Sequence, residues 1–83
     1  MYSLLFTRGA AKQIRKLEPG VRTRVLAAIE KLTTAPRPVG AIKLVGEPAW
    51  RIRVGNYRVI YEIEDTELTV TVVRTAHRRE AYS

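Results

Sequence analysis

The stretch Trp50-Arg51-Ile52-Arg53-Val54-Gly55-Asn56-Tyr57-Arg58-Val59-Ile60-Tyr61-Glu62-Ile63 decides the fold. Trp50, Ile52 and Val54 alternate with Arg51 and Arg53, and Val59, Tyr61 and Ile63 alternate with Arg58, Ile60 and Glu62. That is the period of two of half-buried strands. Gly55-Asn56 between them is a pair in which both residues tolerate positive φ, so it closes a two-residue hairpin. The loop length fixes the register: Val54 faces Tyr57, Arg53 faces Arg58, Ile52 faces Val59 and Trp50 faces Tyr61. One face of this hairpin is apolar and must be covered, while the other carries arginines.

Toward the C-terminus, Glu64-Asp65-Thr66-Glu67 predicts a turn and Leu68–Thr75 a third strand. A four-residue loop pairs Ile63 with Leu68, Tyr61 with Val70 and Val59 with Val72. Toward the N-terminus, Ala35-Pro36-Arg37-Pro38-Val39-Gly40 separates the strands from a segment of helical period. There Ala10, Ile14 and Leu17 form one apolar stripe, and Val21, Val25, Ala28, Ile29 and Leu32 a second. Pro19 suits a first helical turn, so Glu18-Pro19-Gly20 divides two helices. Tyr2–Phe6 reads as a short strand. The expectation is an α+β fold in the order β-α-α-β-β-β: an N-terminal helical hairpin packed on one face of a small antiparallel β-sheet, with residues 1–83 forming a single domain.

Composition narrows the function. Eighty-three residues bury one small core. The absence of cysteine removes disulfides, thiol nucleophiles and thiolate metal sites, and a single histidine argues against a structural zinc. No metal and no cofactor is expected. No run approaches the roughly 20 apolar residues of a membrane span, and Met1–Phe6 is too short for a signal peptide, so no membrane association and a cytoplasmic location are expected. P-loop, dinucleotide, nucleophile-elbow and zinc-protease motifs are missing. The net charge of +7 points instead to polyanionic partners.

The register gathers Arg51, Arg53, Arg58, Glu62, Thr69, Thr71 and Thr75 on the face away from the helices. Arg53 opposite Arg58 is a like-charge pair that costs a fraction of about 1 kcal/mol. A solvated face explains one such pair, since arginine stems cover apolar surface while their heads stay in water. A phosphate-holding site explains it equally, because guanidinium offers a planar fork of donors and a permanent charge. Beyond the last strand, His77-Arg78-Arg79-Glu80-Ala81-Tyr82 supplies the only histidine, the natural proton-transfer candidate, with two arginines and a tyrosine that stacks on a base or anchors the tail. Helix positions Lys12, Arg15, Lys16, Arg22 and Arg24 supply a second basic surface, suited to nucleic acid and to an acidic protein.

The segments Lys43-Leu44-Val45-Gly46, Trp50–Ile63 and His77–Tyr82 together resemble the RelE/ParE superfamily of bacterial type II toxins, closest to its RelE-like mRNA interferases. The resemblance implies a helical hairpin on an antiparallel sheet, a cognate acidic, RelB-like antitoxin in a heteromeric complex, and metal-independent cleavage of mRNA in the A site of the small ribosomal subunit. By the same resemblance Arg51 and Arg53 are the paired basic positions of the strand, Arg58 the arginine after the hairpin, Arg78 the proton donor to the leaving oxygen, and Tyr82 the terminal aromatic, while Arg79 adds phosphate contacts. The chemistry implied is attack of a ribose 2′-OH on its neighbouring phosphate, giving a 2′,3′-cyclic phosphate. Arginine stands at both paired positions where the family's familiar residue is lysine. Being permanently protonated, it is a poor base. Proton abstraction then falls to His77, to Glu62 or to the ribosome. Two alternatives stand beside this reading: a ParE-like poison of DNA gyrase on the same scaffold, and a non-catalytic nucleic-acid-binding module.

Overall fold

The computed structural model describes residues 1–77. Seven elements follow one another: β1 (Ser3–Phe6), α1 (Arg8–Arg15), α2 (Pro19–Lys31), β2 (Ile42–Lys43), β3 (Trp50–Val54), β4 (Tyr57–Glu64) and β5 (Thr69–His77). The strands form one sheet in the order β1-β5-β4-β3-β2, with the two helices packed on one face. The α+β class matches the expectation. The sheet is mixed, however, because β1 lies parallel to β5, pairing Ser3 with Thr69 and Phe6 with Val72. The two-residue β2 is an addition that periodicity could not show.

Each helix forms for local reasons. Thr7 caps α1, its hydroxyl oxygen accepting from the Ala10 amide at 3.1 Å while the hydroxyl donates to the Val73 carbonyl at 2.7 Å. The cap thus also ties the helix to β5. Pro19 opens α2, where its missing N–H costs nothing. Arg22 then reaches back to the carbonyls of Arg15 and Leu17, at 3.2 and 2.9 Å, and satisfies the free end of α1. Ala10 and Ile14 of α1, with Val25 and Ile29 of α2 and Leu32 after it, bury against Ile52, Val59, Tyr61, Val70 and Val72. A side chain of Ile or Leu size buried this way contributes about 1.5–3 kcal/mol.

The β3–β4 register is the one that Gly55-Asn56 dictates, from Val54 opposite Tyr57 to Trp50 opposite Tyr61. The β4–β5 register differs from the expected one. Tyr61 meets Val72 and Ile63 meets Val70, a slip of two residues that keeps the apolar face intact. Its cause is Leu68, which adopts a left-handed φ of 49° and belongs to the turn, its amide donating to the Asp65 carbonyl at 3.3 Å. A bulge between Ile60 and Tyr61 then changes the phase of β5, so that Ile60 meets Arg74, Val59 meets Thr75 and Tyr57 meets His77. Thr75, expected on the basic face, is therefore on the helix-covered side and buried.

A polar network closes the far end of the sheet. Tyr2 donates its hydroxyl to Asp65 at 2.7 Å, and Arg37 holds both oxygens of the same carboxylate, at 2.9 and 3.3 Å. The Arg37 hydrogen bonds hold the Asp65 carboxyl below the usual carboxylate range. The Arg37 guanidinium also stands 5.4 Å from the centre of the Trp50 ring. Tyr61, fully buried, donates to the Pro36 carbonyl at 2.6 Å, and burial pushes its hydroxyl up to about 12. These contacts hold the Pro-rich connection over the end of the core. None of the helices among the described residues is long and apolar enough to cross a membrane.

Candidate functional site

The face of β3–β4–β5 turned away from the helices collects four arginines. Arg53 stands directly opposite Arg58 across β3–β4, and Arg51 and Arg74 flank Ile60 from the two neighbouring strands. Arg51 and Arg74 are therefore both diagonal neighbours of Arg58, a spacing of about 7–8 Å between backbones. Arg58 is only 7% exposed, whereas Arg53 and Arg74 reach solvent. Burying a guanidinium is expensive unless its surroundings are polar or charged, so this position is a constraint that a generic surface arginine does not meet.

The connection between β2 and β3 borders the cleft that Arg58 lines. Leu44 donates its amide to the Ala49 carbonyl at 2.9 Å, Gly46 turns at φ 78°, and Lys43 anchors the turn through the Glu47 carbonyl at 2.7 Å. The turn stands over the basic face and leaves an open cleft of about 670 Å³ lined by Leu44, Glu47, Arg51, Arg58, Ile60 and Arg74, with Gln13 and Thr75 at its inner end. Ile60 is buried on this polar side of the sheet. The cleft thus has an apolar floor patch beside a cationic wall. Glu47 crosses it to Arg74, with 3.5 Å between nitrogen and oxygen.

Of the positions singled out from sequence, Arg51, Arg53 and Arg58 come together as the register required. Glu62 shares their face, but it stands four positions along β4 from Arg58, about 13 Å along a strand. His77 departs from expectation. Carried past the bulge, it pairs with Tyr57 on the helix side and meets that ring edge-on, the centroids 5.1 Å apart. Arg78, Arg79 and Tyr82 lie outside the described residues. Lys12, Arg15 and Lys16 are exposed on or just after α1, and Arg24 extends over the Gly55 hairpin. Arg22 is half-buried and its guanidinium is committed to the helix junction, which withdraws it from the docking surface. Arg74 and Glu47 were missed. The signal for Arg74 was the doublet Val72-Val73, which interrupts strict alternation and marks the bulge. Among the described residues no three His, Asp or Glu side chains form a metal-holding group.

The arrangement can bind a polyanion along one side and stabilise added negative charge at its most buried cation. A family model described as the ParE toxin of the type II toxin-antitoxin system parDE matches residues 4–82. The chain belongs to the RelE/ParE superfamily of type II toxins. This toxin is 32% identical over 88 residues to Toxin RelG of Mycobacterium tuberculosis, covering 98% of its own chain and 95% of the relative. It is likewise 32% identical over 87 residues to the mRNA interferase toxin RelE of Escherichia coli, at 99% and 90% coverage. Among solved structures, the toxin-antitoxin complex RelBE2 of M. tuberculosis contains a chain that superposes with a TM-score of 0.82 at 30% identity, covering 93% of this toxin and 98% of that chain.

Proposed function

We propose that this toxin is a ribosome-dependent endoribonuclease that cuts mRNA in the A site of the small subunit and so stops translation. The observation that carries the reading is the buried Arg58 at the base of a cleft whose other cations, Arg51 and Arg74, lie one diagonal step away on either side. In the reaction the 2′-oxygen of a ribose bonds to the adjacent phosphorus and the bond from phosphorus to the 5′-oxygen breaks. The products are a 2′,3′-cyclic phosphate and a 5′-hydroxyl. The phosphorane between them carries an extra negative charge, and a preorganised cation aimed at it is worth about 2.7–4 kcal/mol, or 10²–10³ in rate. Arg58 and Arg53 fill that role, Arg51 and Arg79 grip flanking phosphates, Arg78 protonates the leaving oxygen and Tyr82 orients a base.

The 2′-hydroxyl must also lose its proton. With Glu62 about 13 Å up the strand and His77 turned toward Tyr57, activation of the hydroxyl is assigned to the ribosome. Exposed Lys12, Arg15, Lys16 and Arg24 supply the docking charge for ribosomal RNA. The cognate partner is an acidic antitoxin, in line with the RelBE2 complex of the relative, and the toxin acts in the cytoplasm where its ribosomes are.

Primer extension on mRNA after induction tests the assignment. Wild type yields ribosome-dependent cuts, and Arg58→Ala loses them by 10²-fold or more. His77→Gln retains them with an unchanged pH profile. Cuts that persist in Arg58→Ala overturn the site, and cuts lost in His77→Gln return the histidine to the chemistry. The second reading, poisoning of DNA gyrase, draws on the family model's description as a ParE toxin. It requires DNA replication to stop before translation in induced cells, the reverse of the order proposed here.

A further inference from the structure

The carboxylate of Glu47 is the feature of the cleft that the reaction leaves unexplained. It is the one acidic side chain among the described residues lining a cavity that also presents Arg51, Arg58 and Arg74. Its backbone is held by the Lys43 ammonium, and the Leu44–Ala49 hydrogen bond closes the turn that carries it. From there it reaches over Ile60 to Arg74. Both partners are about half exposed, at 47% for Arg74 and 46% for Glu47, and the contact is loose at 3.5 Å. An exposed pair of this kind adds little to stability and is easily exchanged for a better anion. A phosphate offers Arg74 the same charge with bidentate geometry.

We propose that Glu47 is a resident counter-anion occupying a phosphate subsite, and that Arg74 is the cation of that subsite, released to the backbone of single-stranded RNA when a phosphate displaces the carboxylate. The inference rests on the ribonuclease reading in that it takes the polyanion to be RNA. It goes further by adding a binding residue for the phosphate next to the one held at Arg58 and by giving the cleft a built-in competitor. Arg74 lies on the cleft side only because β5 bulges before it, so the subsite and the bulge are one feature. The competitor also discriminates: an isolated anion must displace Glu47 unaided, whereas a chain already gripped at Arg58 brings its next phosphate at high local concentration.

The test uses a fluorescent, uncleavable 2′-O-methyl single-stranded RNA and measures its affinity for the purified toxin across a salt series. Glu47→Gln is expected to bind about two- to fivefold more tightly than wild type. Arg74→Gln is expected to bind more weakly, its salt slope shallower by about 0.7, the value of one single-strand phosphate contact. In the double variant the gain from Glu47→Gln disappears. Glu64→Gln serves as the control, removing the same charge from the same strand face two positions further along β4 from Arg74. A gain from Glu47→Gln that survives in the Arg74→Gln background, or that Glu64→Gln reproduces, overturns the exchange and leaves only a change in overall field. An unchanged slope in Arg74→Gln, with binding still lost in Arg58→Ala, overturns the subsite alone. RNA binding indifferent to Arg58 as well overturns both the subsite and the ribonuclease reading.

Discussion

The two faces of the sheet are built by different rules. On the helix-covered face, Ile52, Val59, Tyr61, Val70 and Val72 follow strict alternation, and any register that preserves parity would bury the same kind of surface. On the opposite face, Arg51, Arg53 and Arg58 are placed by the local hairpin, whereas the position of Arg74 depends on contacts distant in sequence. Arg74 faces the cleft because of a bulge, the bulge is held by Thr7 and Gln13, and the cleft exists because the Leu44–Ala49 turn lies over Ile60. Stability is concentrated where the pattern is redundant, and chemistry where it is not.

The largest effect that can break this comparison is Ile29→Ala. It empties a fully buried site on the helical side and should cost about 2–5 kcal/mol, read as a shift in denaturant midpoint. RNA affinity of the folded fraction should stay at the wild-type value. Affinity falling in step with stability would show that the faces are not independent.

A smaller change sharpens it from the other side. The side-chain carbonyl of Gln13 accepts the Thr75 amide at 2.7 Å, where β5 has run past its neighbour β1. Gln13→Ala should cost about 1 kcal/mol and speed hydrogen exchange at Thr75, because the acceptor that fixes the phase of β5 is gone. Exchange unchanged at Thr75 would show that the bulge holds without it.

The smallest effects are in the pH dependence. The Tyr61 hydroxyl is raised by burial from an ordinary 10.0 to about 12, so its contribution is complete below pH 10 and is lost as pH rises toward 12. Tyr61→Phe should flatten that alkaline limb in thermal melts. Asp65 is lowered by its hydrogen bonds from Arg37, so its contribution is complete above the usual carboxylate range and is lost as the solution is acidified below it. Asp65→Asn should flatten the acid limb only, with RNA affinity unaltered. An acid limb that survives in Asp65→Asn would assign it to other carboxylates.

The sequence disclosed what is local. Gly55-Asn56 set the hairpin, Pro19 set the helix break, and the three arginines of β3 and β4 shared a face because strands alternate. It hid what is decided across the chain. Nothing within Glu64–Thr69 announces that a leucine, a residue with no particular affinity for the left-handed region, will take a positive φ and move the register by two. Nor does periodicity show which strand β1 will join, or that Gln13 will stand in for a strand beside Thr75. His77 was misplaced for the same reason that Arg74 was overlooked, since both lie beyond the bulge and inherit its change of phase.

The parallel pairing of β1 with β5 has a consequence for how such a protein is made. Thr7 meets Val73 across 66 residues, and β1 has no neighbour in the sheet until Thr69–Val72 exists to receive it. A nascent chain therefore has no finished sheet until β5 has been made. Any harm that needs the folded sheet is deferred to that point, and the interval before it is when a guardian protein already present can reach the chain first.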